Sequence, residues 1–588
     1  MTRALSNFQH SALFTRLSPP QNVNLLEDRF EELFNIHPVS PLLCVTVGDF
    51  SNSPTLLSVD TAAIPTPLSY SEAVSGFHAT EWMTAIIAEC EAFTRTNSYI
   101  DSVPPPGATI VKGKWVFRVK QLPGELPVFK ARYCAKGFTQ REGIDYFATY
   151  SPTARLPTLR LLLDLGARWN WEIHSMDVSN AFLQGELHER IFLERPAGFP
   201  RPFPPGTVWE LKRPVYGLKQ APREWHAKLA STLHSLGFST STSDPSLFIR
   251  TSPHRLYILA YVDDLVLLAE DSADLAAVKK ALQARLMCKD LGELRHYLGM
   301  EIRRDRAART ISLSQSFYIQ SILQRFEMSQ AKPVSTPLPA NHQLTAPAVP
   351  APSSELRPYP ELVGSLMYAM MCTRPDLAYP LSVLSRFVGL GRHTDVHWAA
   401  AKRVLRYLRA TSDLALTLGG SIPPVLSGYS DSSYADSRPD RRSSQGYGFT
   451  LGSGLISWRS TRSSSVCLST CEAELYAGTL AAQEARWLSF LLAELGHSQS
   501  SVTLSCDSAS MIHLTENPVY HARSKHIEVR YFFVRELVQS GFLRLRKVDA
   551  TANLADIFTK ALLRAPHRFY VRELGLTRLS TSGGVPVR

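Results

Sequence analysis

The chain has few cysteines and no long apolar stretch. It contains eight cysteines in 588 residues, none in a CxxC pair, and the nearest two, Cys467 and Cys471, have no matching second half. This spacing excludes a disulfide framework and argues against a zinc site. No apolar stretch approaches the roughly 18 residues of a membrane helix, and the N-terminus lacks the apolar region of a secretory signal. These absences predict a protein of a reducing compartment that is neither secreted nor inserted in a membrane.

Acidic residues are also outnumbered by basic ones. The chain has 63 Lys and Arg against 52 Asp and Glu, which gives a formal net charge of +11, and 44% of its residues are hydrophobic. The hydrophobic fraction is sufficient for folded cores, and the length predicts two to four domains. The excess positive charge favours a polyanionic partner such as nucleic acid.

Composition and periodicity divide the chain into six segments. The first is rich in Pro and Ser without sustained periodicity, so we expect it to be poorly ordered. After it, 79–93 predicts a helix, and "KGKWVFRVK" and "FKARYCAKGF" predict two strands joined by a turn near Pro123 and Gly124. Strand-like and helix-like patterns then alternate as far as a Pro/Ala/Ser-rich linker. The predicted segments are 1–75, 76–332, 333–358 (the linker), 359–424 (helical), 425–565 (α/β) and 566–588 (a C-terminal tail).

The stretch "LYILAYVDDLVLLAE" (256–270) contains two adjacent aspartates, Asp263 and Asp264, between two apolar runs that predict buried strands. Asp-Asp lacks the turn preference of Asn-Gly or Asp-Gly, and burying unpaired like charges is costly. A divalent cation would remove this cost because hard cations bind carboxylate oxygens. The pair is therefore a candidate metal site.

A two-metal site requires a third carboxylate, and Asp177 follows the strand-like "EIHSM" in "WEIHSMDVSNAFLQGEL" (171–187). An Asp at the end of a strand is also a common cap for a following helix. The residues around Asp177 alone leave both roles open.

Six motifs occur in an ordered series: "KWVFRVK", "KARYCAKGFTQREGIDY", "MDVSNAFLQGEL", "VYGLKQAPREW" (215–225), "YVDD" and "LGELRHYLGMEI" (291–302). In these motifs the chain resembles the reverse transcriptases of copia-type LTR retrotransposons, and the resemblance extends from about residue 77 to 576. It implies that Asp177 and Asp263 hold two Mg²⁺ ions, assisted by Asp264 and by the backbone carbonyl of Val178.

The resemblance also implies residues that bind the nucleotide. Phe182 would be the aromatic gate that rejects a 2′-hydroxyl group, and its alternative role is that of a core phenylalanine. Lys130 and Arg132 share one face of a predicted strand, where they either grip the triphosphate or face solvent. Gln220 would lie near the nucleotide sugar and the templating base, and Lys289 near the leaving pyrophosphate. The motif "LRHYLGMEI" would form the hairpin that holds the primer end.

A second acidic set lies near the C-terminus. "GYSDSSYAD" (428–436) places Asp431 on the first strand of a predicted meander, and Asp507 ends a later strand. The helix predicted for 468–495 starts with the capping box Ser469-Thr470-Cys471-Glu472, which gives Glu472 a structural role and leaves Glu474 as the catalytic candidate. Asp556, in "ANLADIFTK", is predicted on the last helix.

The order Asp431, Glu474, Asp507, Asp556 resembles the active site of ribonuclease H, which implies a second two-metal site. The loop "DATANLA" lacks the mobile histidine of many such enzymes, so product release or metal exchange would differ without predicting inactivity. The segment 523–537, with Lys525, His526 and Arg530, either contacts the hybrid backbone or forms the polar face of a helix. Both possibilities remain open.

Together these motifs predict a multidomain α+β and α/β chain. A right-hand polymerase with fingers and palm would occupy 76–332, a helical thumb or connection 359–424, and an RNase H-like α/β domain 425–565. We expect an RNA-directed DNA polymerase with ribonuclease H activity that uses Mg²⁺ (two per site) or Mn²⁺. Expected partners are an RNA template, a DNA primer, an RNA–DNA hybrid and deoxynucleoside triphosphates. The alternative is a catalytically inactive relic or a recruited nucleic-acid-binding protein, and retention of every carboxylate favours catalysis.

Several parts of such elements are absent from the sequence. There is no aspartic protease Asp-Thr/Ser-Gly ahead of the polymerase, no zinc-binding integrase arrangement and no capsid-like region, all of which the copia-type order places upstream. We therefore expect the reading frame to be the 3′ portion of an element, with capsid and integrase encoded elsewhere. The expected location is cytoplasmic, in a virus-like particle, or nuclear.

Overall fold

The computed structural model describes residues 64–120, 127–201, 203–347, 349, 357–389, 391–437, 439–516 and 528–579. Up to residue 211 the elements are helices α1 (Tyr70–Ser75), α2 (Ala79–Arg95) and α3 (Leu156–Arg168), and strands β1 (Tyr99–Ser102), β2 (Ile110–Val111), β3 (Gly113–Lys120), β4 (Val128–Ala135), β5 (Glu172–Val178), β6 (Phe192–Leu193) and β7 (Val208–Leu211). As far as residue 325 there follow α4 (Ala221–His234), β8 (Ser239–Thr240), β9 (Leu247–Arg250), β10 (Leu256–Tyr261), β11 (Asp264–Ala269), α5 (Ser272–Gln283), β12 (Cys288–Glu293), β13 (His296–Tyr297), β14 (Met300–Asp305), β15 (Thr310–Ser314) and α6 (Ser316–Arg325).

The C-terminal half begins with three helices and continues with mixed structure. Its elements are α7 (Tyr359–Cys372), α8 (Ala378–Leu384), α9 (Asp395–Ala410), β16 (Leu414–Gly419), β17 (Ser427–Ser433), β18 (Ser444–Thr450), β19 (Leu455–Arg462), α10 (Thr470–Glu494), β20 (Val502–Cys506), α11 (Ala509–Glu516), α12 (Glu528–Gln539), β21 (Leu543–Lys547), α13 (Arg564–Glu573) and β22 (Leu576–Arg578). The chain thus has mixed α and β content, as predicted.

The paired aspartates lie at one end of a six-stranded sheet of order β12-β5-β11-β10-β9-β8. Strands β10 and β11 pair antiparallel, which confirms the two strands predicted from the apolar runs. Every residue of β11 is buried. Val266 and Leu268 pack on the side of α3, whereas Leu265 and Leu267 pack on the side of α4 and α5. Both faces of the sheet are therefore covered, which explains apolar runs without alternation.

A smaller region precedes this sheet. Strands β3 and β4 pair antiparallel, and α2 packs against β4 through an apolar face that includes Trp82 and Ile86. Strands β1, β7, β6 and β2 form a four-stranded sheet beside them. The predicted helix at 79–93 and the predicted strand pair are confirmed. The turn near Pro123 and Gly124 lies outside the described residues.

Two further five-stranded sheets complete the fold. One has the order β13-β14-β15-β16-β22 and is antiparallel. The other has the order β19-β18-β17-β20-β21. In it, β17, β18 and β19 form the predicted antiparallel meander, while β20 pairs parallel with β17 and β21 pairs parallel with β20. Helix α10 packs across β17 and β18.

One hydrophobic core joins the six-stranded sheet to the C-terminal half. Its members come from both halves and include Leu162, Leu268, Leu313, Leu475 and Leu576. Helix α3 lies at their junction. There the Arg160 guanidinium donates to the carbonyl of Ile456 at 2.7 Å and lies 3.9 Å over the ring of Trp458. The buried Arg168–Asp164 ion pair of the same helix also bonds backbone groups of the C-terminal half, at Gly419 and Leu451. The linker is thus not the only connection between the halves.

Three of the predicted segments need correction. The tail predicted for 566–588 is wrong for its first part, because α13 occupies Arg564–Glu573 and β22 pairs with β16. The segment 359–424 is not only helical, since it contains β16. Residues 1–63 lie outside the described part, but α1 falls within the segment predicted to be poorly ordered. Its N-terminus is capped because the hydroxyl of Ser69 accepts from the Glu72 N–H and the Glu72 carboxylate accepts from the Leu68 N–H.

The described part of the predicted linker, 333–347, 349 and 357–358, contains neither helix nor strand. Among the described residues, no helix combines the length and the apolarity that crossing a bilayer requires.

Candidate active sites

Asp263 is the second residue of a two-residue turn between β10 and β11, and Asp264 directly follows this turn. Tyr261 pairs with Asp264, so Val262 and Asp263 are the turn residues. Val262 has φ of 56°, a left-handed conformation that is unfavourable for a β-branched residue. Its carbonyl accepts a hydrogen bond from the indole N–H of Trp225 at 2.6 Å, which supports the turn. Asp263 and Asp264 are only 7% and 5% exposed.

Asp177 lies next to this turn. It is the penultimate residue of β5 and is paired directly opposite Asp264, and the N–H of Val178 donates to the carbonyl of Asp263 at 2.8 Å. Residues directly opposite each other in an antiparallel pair project from the same face. The three aspartates therefore converge at one end of the sheet. The helix-cap role of Asp177 is not realised, because the short 3-10 helix that follows begins at Ala181, with Asn180 before it.

Lys289 lies on the other side of Asp177. Strand β12 pairs with β5 so that Lys289 is directly opposite Asp177. Asp264, Asp177 and Lys289 thus form a row across three neighbouring strands, and the lysine is at the exposed end of the row. The side chain predicted to meet the pyrophosphate is therefore beside the acidic set, and its contact with a nucleotide stays a prediction.

Phe182 and Arg132 both contact the ring of Tyr216, for which the sequence predicted no role. The ring of Phe182 lies edge-on at 4.8 Å from the ring of Tyr216, and the Arg132 guanidinium lies 4.7 Å over the same ring. Burial raises the pKa of the Tyr216 hydroxyl; Arg132 opposes this shift and Asp263 adds to it. Tyr216 thus links the predicted gate and the predicted triphosphate contact to the acidic set. Lys130 is two residues from Arg132 on β4 and is exposed.

Gln220 is fully buried, with both ends of its amide in use. Its Oε1 accepts from Nε2 of Gln140 at 3.0 Å, and its Nε2 donates to the carbonyl of Asp145 at 2.9 Å. In this arrangement Gln220 fixes the 140–145 segment against the start of α4. The motif "LRHYLGMEI" does form a hairpin, from strands β13 and β14; its contact with a primer stays a prediction.

Four elements carry the residues of the second acidic set, and three of them carry its aspartates. Asp431 lies on β17, Asp507 directly follows β20, and Asp556 lies on a short 3-10 helix, Leu554–Phe558. One carboxylate oxygen from each lies within 4.8 Å of the others. The prediction of Asp556 on the last helix is wrong, because α13 follows this 3-10 helix. The central position of β17, between β18 and β20, explains why Asp431 is only 1% exposed.

Glu474 faces these aspartates from α10 and is 5% exposed. Burial, followed by the charges of Asp431 and Asp507, raises the pKa of the Glu474 carboxyl to about 9. Burial and Asp431 likewise raise the pKa of Asp556 to about 6. Burial and the neighbouring negative charges thus disfavour the charged forms of Glu474 and Asp556.

Glu472 has the capping role predicted for it. It is the third residue of α10; its N–H donates to the Ser469 hydroxyl at 3.1 Å, and its carboxylate accepts from the N–H of Leu468 at 2.5 Å. The reciprocal bond is thus made one residue earlier than in the usual capping box. The two glutamates of this turn have different partners, as the sequence predicted.

Three polar residues around the second set were missed in the sequence. Lys560 Nζ lies 2.8 Å from Asp556 Oδ1 and 3.3 Å from Asp431 Oδ2. The Thr559 hydroxyl donates to the carboxylate of Asp431. The Asn553 amide donates to the carbonyl of Ser430 at 3.0 Å. All three flank Asp556 in the "ANLADIFTK" motif, and their spacing alone did not reveal which side chains turn toward Asp431.

Of the basic segment 523–537, only the part from Glu528 is described, and Lys525 and His526 lie outside it. Arg530 lies 3.8 Å over the ring of Tyr476 on α10. The Arg530 guanidinium is therefore already packed against α10, and the predicted contact of this segment with a hybrid stays a prediction.

Both acidic sets fit hard divalent cations. Oδ1 of Asp177 and Oε2 of Glu474 are buried oxygens that have no hydrogen-bond donor among the described residues. Such oxygens are costly to bury unless a cation or a proton compensates them. Both sets offer only oxygen atoms as metal ligands, with no thiolate or imidazole. This is the ligand chemistry of Mg²⁺ or Mn²⁺ rather than of zinc.

One family model covers the polymerase motifs. Residues 98–340 match the family model described as reverse transcriptase (RNA-dependent DNA polymerase). The match covers the first acidic set together with Lys130, Phe182, Gln220 and Lys289. A foamy viral protease-reverse transcriptase, solved with double-stranded DNA, is 14% identical, with a TM-score of 0.46 over 89% of this chain and 81% of that chain.

Transposon proteins are similar over most of the chain. The retrovirus-related Pol polyprotein from transposon TNT 1-94 of Nicotiana tabacum is 40% identical over 85% of this chain and 38% of its own length. That from transposon RE2 of Arabidopsis thaliana is 37% identical over 87% of this chain and 35% of its own length. The chain thus spans little more than a third of these relatives. A putative transposon Ty5-1 protein of Saccharomyces cerevisiae is 34% identical over 49% of this chain and 92% of its own length. The chain therefore belongs to the Pol polyproteins of copia-type LTR retrotransposons and contains their reverse transcriptase domain.

Proposed function

We propose that this chain is an RNA-directed DNA polymerase with ribonuclease H activity, which copies retrotransposon RNA into DNA. The observation that carries the proposal is the pairing of Asp177 opposite Asp264, with Asp263 in the adjoining turn, inside the region that matches reverse transcriptases. The cluster of Asp431, Asp507 and Asp556 supports the second activity. The substrates are an RNA template, a DNA primer, deoxynucleoside triphosphates and the RNA–DNA hybrid.

In the polymerase site, Asp177, Asp263 and Asp264 hold Mg²⁺ together with the carbonyl of Val178. When bound, the metal supplies Lewis-acid activation of the primer 3′-hydroxyl and neutralises charge on the leaving pyrophosphate. The protein's own task is to fix the oxygen ligands, and the hydrogen bond between Val178 and Asp263 does so by joining the turn to β5.

We assign binding and selection of the nucleotide to three further residues. Lys130 and Arg132 bind the triphosphate, and their alternation on β4 brings both cations to one face. Phe182 rejects the 2′-hydroxyl of a ribonucleotide by steric clash. Tyr216 contacts both Phe182 and Arg132, so it sets the distance between the gate and the triphosphate contact.

In the second site, Asp431, Glu474, Asp507 and Asp556 hold the divalent ions for hybrid cleavage. The mixed sheet that positions Asp431 and Asp507, with an antiparallel meander and two parallel strands, is consistent with an RNase H-like domain. We assign fingers and palm to 76–332, the thumb or connection to the helices of 359–410, and the RNase H-like domain to β17 onward. Of the C-terminal elements, α13 packs against the 3-10 helix that carries Asp556, whereas β22 pairs with β16 outside the sheet of this domain.

The test is a pair of assays on the purified full chain: extension of oligo(dT) on poly(rA), and cleavage of a labelled RNA–DNA hybrid, each in Mg²⁺ and in Mn²⁺. Asp177→Asn is expected to lose extension and keep cleavage, and Asp431→Asn to do the reverse. Each variant is therefore the folding control for the other. A wild-type chain that binds hybrid but has neither activity in either metal would overturn the proposal in favour of a non-catalytic nucleic-acid-binding protein.

A further inference from the structure

We propose that Lys560 is a positioning residue of the second acidic site. Its ammonium group pairs with carboxylate oxygens that a divalent ion requires, and it thereby sets the affinity of the site for metal. The inference rests on the proposed hybrid-cleavage site, and it concerns how this chain's own lysine shares that site with Mg²⁺ or Mn²⁺.

The position of Lys560 follows from the turn that carries Asp556. The two residues are four apart, and the N–H of Lys560 donates to the carbonyl of Asp556 at 3.0 Å, which fixes the backbone of the lysine over the aspartate. From there Nζ reaches Oδ1 of Asp556 at 2.8 Å and Oδ2 of Asp431 at 3.3 Å. The neighbouring Thr559 hydroxyl also donates to the Asp431 carboxylate. Lys560 thus bridges two carboxylates contributed by different elements.

The ammonium and a divalent ion compete for these oxygens. Oxygens of Asp431, Asp507 and Asp556 lie within 4.8 Å of one another, so a cation held between them would lie within a few ångströms of Nζ in its present place. Two positive charges at that separation repel each other. The side chain of Lys560 is 37% exposed, which leaves a path for the ammonium to move toward solvent when metal binds. Metal affinity therefore includes the cost of displacing the lysine.

The experiment measures Mn²⁺ binding to the full chain by the electron paramagnetic resonance signal of free Mn²⁺. The second site is defined as the binding that Asp431→Asn removes. Lys560→Met removes the charge and keeps a side chain of similar length. It should lower the Kd of that site by about three- to tenfold, an effect that solvent screening of the part-exposed lysine keeps modest. Lys560→Arg keeps the charge and should stay close to the wild-type Kd. Lys280→Met, at an exposed position on α5, is the matched control.

A second readout is thermal unfolding. In EDTA, Lys560→Met should have a lower Tm than wild type because the carboxylates lose their counter-ion, and saturating Mn²⁺ should remove the difference. Primer extension and circular dichroism confirm the fold, and Lys560→Gln replaces the Met variant if that variant misfolds. An unchanged or increased Kd in the neutral variant would overturn the inference. A wild-type chain without Asp431-dependent Mn²⁺ binding would instead overturn the proposed site itself.

Discussion

Glu474→Gln should stabilise the metal-free protein while abolishing hybrid cleavage. The wild-type carboxyl has its pKa raised to about 9 in the folded chain, against about 4.3 for an unperturbed Glu. A raised pKa means that the folded state binds the proton more tightly. Folding stability is therefore lost as pH rises from the unfolded pKa toward 9. Glutamine cannot ionise and does not carry this cost.

The magnitude can be worked from the shift. At pH 7.5, about 3 units above the unfolded pKa, wild type has lost at most about 4 kcal/mol of folding stability, at 1.36 kcal/mol per unit. Because the neighbouring carboxylates relax and share protons, we expect a smaller gain of about 1–3 kcal/mol. The buried Oε2 lacks a donor among the described residues, so an amide in its place leaves no additional acceptor unpaired.

The assay compares Tm in EDTA between pH 5 and pH 9 for wild type, Glu474→Gln and Glu472→Gln. The Glu474 variant should gain stability over wild type with rising pH, whereas excess Mg²⁺ should favour wild type. Glu472→Gln is the matched control from the same turn: its amide still accepts from the Leu468 N–H, and losing the charge at the helix N-terminus should cost at most about 1 kcal/mol. It should retain cleavage. A Glu474 variant that is less stable than wild type at every pH, or that still cleaves hybrid, would refute the reasoning.

Three other substitutions test separate parts of the molecule. Asp263→Asn should abolish primer extension and leave hybrid cleavage largely intact, because the two acidic sets are distinct; extension at near wild-type rate would exclude the polymerase assignment. Phe182→Val should raise ribonucleotide incorporation more than it lowers deoxynucleotide use; an unchanged ratio of rATP to dATP in single-nucleotide extension would make Phe182 a core residue only. Leu576→Ala should lower the free energy of unfolding in urea by about 2–4 kcal/mol, because the side chain is 3% exposed in the shared core. An effect below about 0.5 kcal/mol would restore the tail interpretation.

Local features of the sequence determined most of the candidate site. The apolar runs on both sides of Asp263 and Asp264 predicted buried strands. The capping box separated Glu472 from Glu474 because those two side chains project about 200° apart on a helix. The meander around Asp431 and the strand before Asp507 were likewise predicted from local sequence patterns. These signals are local: they depend on periodicity and capping within a dozen residues.

Tertiary structure decided what depends on distant partners. Pairing of β5 with β11 placed Asp177 opposite Asp264, although its own neighbourhood also suited a helix cap. Gln220 proved to be buried against Gln140, and Lys560 turned onto Asp431, a residue 129 positions earlier. Residues 576–578, which the sequence placed in a tail, form a strand that pairs with β16. Helix α3 joins the two halves through Arg160. Strand pairing and buried hydrogen bonds join segments hundreds of residues apart, and no local pattern in a single sequence specifies which segments meet.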